Sequence, residues 1–526
     1  MANEYLATDD LTILLGLIAA TVFLLNNLYK PQPLVHPILL GRQSDVGRVR
    51  NPGESATYRN YGTGLMGRLT NHGLQDRVAS FGTGLIRLAE LKPQQSRVLL
   101  LLNDSVEFII SDLALASHSI LSYTLSSSKL LSYVIETHPN DAIITHASLL
   151  PQLLELIYDS DVVRNHTIIV VGEPSKRDLA SVASNIKVLE FSEVEREGIK
   201  TTKINTTLPN ASDVFTVSFH QTETGHCQGT QLTHENITAG VAAVRGLFPL
   251  NFAISPLDTI VSAHSLSTAY GRAIGYTAIF EGTSFASLAS SKAYHVEETT
   301  TEHDVEDINS SDSYPIPSPT ILFAKPGHLE STVTAIMKKA SESFILYPFA
   351  RRHKIASINE GYITKESLWD RLVFDGARAK VIGDSAGSLR AVVVSGGPLN
   401  AAILTPARVA LSIPLVNSFT HPLVSGPVLA SHLLDLQDFP ALKDSLVAHV
   451  GPPSVNIEAK LVDVDDDKVE TGADPSGSLL VRGPSVGRVF GNEDYVKIPS
   501  QEDEQGWVAL GVRAKVQSNG AFKILA

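Results

Sequence analysis

The segment RVLLLL (97–102) is apolar at every position after its arginine. Successive side chains of a strand point to opposite faces, so a run like this must be covered on both. The same texture returns in DAIITH (141–146), HTIIVVGE (166–173), DVFTVSF (213–219), DTIVSAH (258–264) and RAVVVSGG (390–397). ILSYTL (120–125) and KVLEF (187–191) read as further strands. Between them, SVEFIISDLALASHS (105–119), ITAGVAAVRGLF (237–248) and HLESTVTAIMKKASES (328–343) carry apolar residues at helical spacing. Doubly covered strands alternating with helices predict an α/β fold with largely parallel sheets. This body runs from about residue 58 to 449. From 450 to 526 the texture changes to short β segments (EAKLVDVDDD, SGSLLVRG, GWVALGV, FKILA) separated by Gly, Asp and Pro, which predicts a smaller β-rich lobe.

The rest of the composition narrows the partners. At 43% hydrophobic and 18% charged, 526 residues can bury a large core. The net charge of −13, with no basic patch, argues against nucleic acid as a partner. Cys227 is the single cysteine, so an internal disulfide and a Cys-based zinc site are excluded. Residues 294–319 are acidic, rich in Ser and Thr, end in prolines and lack periodicity, as expected of a solvated insertion.

Residues 11–25 read LTILLGLIAATVFLL, apolar on every face. With the acidic residues Glu4, Asp9 and Asp10 ahead of it and no basic leader, the run resembles a transmembrane anchor more than a cleaved signal peptide. Residues 1–30 form that anchor and 31–57 a linker. Lys30, Arg42, Arg48 and Arg50 follow the run, which places the body in the cytosol by the positive-inside rule.

Residues 213–241 read DVFTVSFHQTETGHCQGTQLTHENITAGV. They resemble the core loop of the AMP-forming adenylate ligases, specifically the long-chain fatty acyl-CoA synthetases. Thr224, Gly225, Gly229, Leu232, Thr233, His234 and Asn236 match the family pattern. PTILFAKPGHLE (319–330), LRAVVVSGGPLN (389–400) with its Gly396-Gly397 pair, VGPPSVNIEAKLVD (450–463) and GWVALG (506–511) follow in the family's order. The resemblance spans residues 58–526. It implies a large acyl-CoA synthetase-like domain of two parallel-rich sheets with helices, plus the β-rich lobe.

The same resemblance exposes losses in the nucleotide pocket. The family's Thr-Ser-Gly-Thr-Thr-Gly-x-Pro-Lys-Gly becomes residues 220–229. Thr222 replaces a glycine, Glu223 adds a negative charge, and Gln228 replaces the lysine that faces polyphosphate. The magnesium-binding glutamate becomes Leu423, and the ribose-binding aspartate becomes Val512. The chain stops at Ala526, where family members continue into a mobile carboxy-terminal domain. Thr222, Glu223, Thr224, Gly225, Gln228, Gly229, Gly396, Gly397, Leu423 and Val512 are therefore read as vestigial nucleotide-pocket positions, with no intact catalytic residue and no metal site. His220, His226 and His234 lack a metal-ligand spacing, and Cys227 beside His226 lacks a triad signature.

These readings predict a membrane-anchored pseudoenzyme that binds a protein partner or a fatty acyl ligand, with no cofactor. The alternative is an active long-chain fatty acid–CoA ligase, using ATP, Mg²⁺ and CoA, with divergent motifs or completed by another subunit. The resemblance points to the endoplasmic reticulum first, ahead of peroxisome, lipid droplet or mitochondrial outer membrane.

Overall fold

A computed structural model describes residues 10–28, 65–66, 69–159, 166–180, 182–204, 209–222, 224–288, 318–435, 447–491 and 506–525. The linker at 31–57, and the acidic insertion apart from its last two residues, lie outside them.

Two large sheets carry the body. The first has eight strands, in the spatial order Arg488–Phe490, Cys227–Thr233, Val214–Gln221, Leu121–Leu125, Arg97–Leu101, Ala142–His146, His166–Val171 and Ile186–Glu190. The last six run parallel, and the first two add antiparallel at the edge. The expectation for RVLLLL holds. Val98 and Leu100 join one core cluster with the helices Asn71–Arg87 and Val106–Ser117. Leu99 and Leu101 join another on the opposite face.

The second sheet has six strands, ordered Ser284–Ser287, Thr259–Ser262, Ile321–Ala324, Ala391–Val394, Leu415–Thr420 and Pro427–Ala430. All but the last are parallel. The lobe is a four-stranded antiparallel sheet of Glu458–Val462, Ser476–Arg482, Val508–Val516 and Phe522–Leu525. Within the span expected for the lobe, Arg488–Phe490 instead pairs with Cys227–Thr233 and joins the eight-stranded sheet.

Buried polar networks fix how the layers meet. Arg272, on the helix Ala269–Glu281, is fully buried and donates to Asp112 Oδ2 at 2.7 Å. The Tyr276 hydroxyl also donates to Asp112. Asp370 receives Lys354 Nζ and Arg378 Nη2, each at 2.8 Å. A buried charge removed from water is tolerated only when paired in this way.

The amino-terminal run forms a 19-residue helix, Asp10–Leu28, and its described side chains, residues 13–24, are exposed. Among the described residues no helix is long and apolar enough to cross a membrane. The side chains at both ends of Asp10–Leu28 are outside that description.

Candidate functional site

The carboxyl ends of the two large sheets converge on the segment 264–268. Ser267 O accepts from Thr124 Oγ1 at 2.9 Å and from Ser218 Oγ at 3.3 Å, both on the eight-stranded sheet. Asp104, just beyond the strand Arg97–Leu101, accepts from Ser265 Oγ at 2.8 Å and Leu266 N at 2.9 Å. On the other side, His264 Nε2 pairs with Ser395 Oγ at 2.9 Å, beyond Ala391–Val394. In parallel α/β sheets this end is where ligands bind.

His264 is buried, and burial, with Lys325 and His328 nearby, pushes its imidazole down to about 3. It is neutral at physiological pH. Gly396 has φ of +85°, and a Cβ there would stand 3.0 Å from His264 Cε1. Both the backbone conformation and the close approach call for glycine. Gly397 lies against Pro326. Gly396 thus has a structural role, whereas a Cβ at Gly397 would make only an ordinary contact with Pro326.

The expected donor-rich loop at 220–229 is shorter than its sequence suggests. Val214–Gln221 and Cys227–Thr233 pair as a hairpin, so Gln228 and Gly229 are strand residues. The turn is closed on itself. Thr222 N donates to His226 O at 2.8 Å, and Gly225 N donates to Thr222 O at 2.9 Å. The Thr222 and Thr224 hydroxyls pair at 2.9 Å, and Gln221 Nε2 caps Gly225 O at 3.1 Å. Gly225, at φ +84°, makes the turn possible. Thr222 N, Gly225 N and His226 N are thus engaged within the turn. Glu223 lies outside the described residues.

Past the turn, polar groups hand over to an apolar cluster. His220 and Gln228 sit opposite each other in register, with the Gln228 side chain beside the His220 imidazole. Burial lowers the His220 imidazole. His421, pushed down to about 4 by burial and by His220, contacts the Leu510 backbone. Its Nδ1 accepts from Leu423 N at 3.2 Å. Leu423 is 2% exposed and packs in one cluster with Val424, Val428 and Leu510. Phe419 and Val512 pack against that same cluster. Gly487 N donates to Leu423 O at 2.8 Å, which ties the cluster to the strand pairing with Cys227–Thr233.

The structure therefore brings Gln228, Leu423 and Val512 together through His220 and His421. Sequence reasoning missed the two histidines as a pair, because 200 residues separate them. At the aligned positions, Leu423 offers no oxygen for Mg²⁺ and Val512 none for a ribose hydroxyl. The residues present do not fit the nucleotide and metal that the family pattern implies.

Other candidates resolve locally. Thr233 Oγ1 accepts from Asn236 N at 3.2 Å, and Thr233 N donates to Asn236 Oδ1 at 2.8 Å, a capping box on the helix His234–Gly246. Asn236 Nδ2 also donates to Pro484 O and Val486 O, at 2.9 and 3.0 Å. His234 packs its ring on Phe215, and His226 is exposed. Among the described residues, no group of three His, Cys, Asp or Glu side chains could hold a metal ion. Burial pushes the Cys227 thiol up to about 11, the wrong direction for a nucleophile. A cavity of about 30 Å³ lies between Leu322, His328, Leu329, Ile382, Leu389 and Leu411. That is room for about one water, so an acyl chain would require it to open.

Residues 49–490 match the family described as AMP-binding enzyme. The chain is 22% identical over 460 residues to long-chain-fatty-acid–CoA ligase 5 of Rattus norvegicus, covering 86% of this chain and 63% of that one. It is 25% identical over 319 residues to long-chain-fatty-acid–CoA ligase 1 of Homo sapiens, covering 60% and 41%. The chain thus spans less than two thirds of these relatives' length. The crystal structure of the anthranilate CoA ligase AuaEII with anthranoyl-AMP superposes with a TM-score of 0.61 at 15% identity, covering 94% of this chain and 78% of that one. At that identity the likeness speaks for the fold alone.

Proposed function

The chain belongs to the AMP-binding enzyme family, and from that premise we propose a membrane-tethered, long-chain acyl-CoA ligase-like protein that no longer forms acyl-adenylates. It acts as a scaffold for a protein partner or a fatty acyl ligand. The observation that carries this reading is the packing of Leu423 and Val512 in one apolar cluster. Adenylation requires hard oxygen ligands for Mg²⁺ and preorganised donors for the charge that develops on phosphate. An apolar cluster supplies neither, and Thr222 N, Gly225 N and His226 N bond within the hairpin turn.

The test is pyrophosphate release by the purified full chain given ATP, Mg²⁺, palmitate and coenzyme A. The proposal expects none that depends on the fatty acid. Turnover above about 1 s⁻¹, ordinary for an enzyme, would establish an active ligase instead. That second reading has its own support, since the curated relatives over 460 residues are named as ligases.

The tether is the helix Asp10–Leu28. At about 1.5 Å per residue its length approaches the hydrocarbon thickness of a bilayer. The cations that follow it keep the body cytosolic, and the endoplasmic reticulum is the membrane we assign first. Carbonate extraction should leave the full chain in the membrane pellet. Release of the full chain into the supernatant would remove the tether from the proposal.

A further inference from the structure

We draw no further inference here: the strongest candidate, the exposed apolar surface patch of Phe344, Ile345, Phe349 and Leu372 beside the helix Tyr347–Asn359 and the helical turn Asp370–Phe374, carries nothing, because nothing in the structure shows what covers it.

Discussion

Two regions of this molecule handle buried polarity in opposite ways. Around Asp112, a full set of partners is kept: Arg272, Tyr276 and Ser122 all reach its carboxylate in a dry interior. Around Leu423 the side chains of Val424, Val428 and Leu510 pack into one apolar cluster, with the His421 ring hydrogen-bonded to the Leu423 backbone. The first region joins a strand, two helices and the site floor, so losing one partner would strand a charge. The second is where the family pattern places a metal ligand and a ribose acceptor.

That contrast can be broken by substitution. Arg272→Leu should lose about 3–5 kcal/mol, because Asp112 is left buried with an unpaired charge; urea unfolding would measure it. Leu423→Glu, which restores the family's residue, should cost about 3 kcal/mol by burying a carboxylate among apolar side chains. A neutral effect there would mean that the cluster is open to water and the pocket persists.

Acid separates the regions by another route. His264 titrates at about 3 when folded. Unfolded, it takes a proton near its ordinary value, so the unfolded state gains protons as pH falls through the interval between. Stability is therefore present above about pH 6.5 and declines below it, by about 2 kcal/mol between pH 7 and pH 5. His264→Gln should flatten this part of the profile, and an unchanged slope would remove His264 as its source. Asn236→Ala should cost about 1–2 kcal/mol through the lost cap and the bonds to Pro484 and Val486. Gln228→Lys should change stability by less than about 0.5 kcal/mol and leave nucleotide binding absent. Recovery of Mg·ATP binding by that single change would show that the lysine alone was missing.

Much of the scaffold was legible in the sequence because parallel strands are buried on both faces. RVLLLL, DAIITH and RAVVVSGG announce themselves by lacking a polar side. The strand Cys227–Thr233 does not, since its residues CQGTQLT are mostly polar and it lies near the sheet edge. It pairs because the turn at Thr222–His226 folds it back. Arg488–Phe490 is too short to carry a pattern, and its place in the eight-stranded sheet is fixed by pairing with Gly229 and Gln231. For the site, the family pattern identifies the substitutions at Gln228, Leu423 and Val512. It does not tell that Leu423 and Val512 adjoin one cluster, or that His421 stands between that cluster and His220 of the hairpin. Those contacts depend on tertiary approach across hundreds of residues.

The most direct test of the central claim is a calorimetric titration of Mg·ATP into the full chain. The account predicts no saturable heat at millimolar nucleotide. Saturable binding in the micromolar range would contradict it, and would mean that the apolar cluster around Leu423 and Val512 opens to receive a nucleotide.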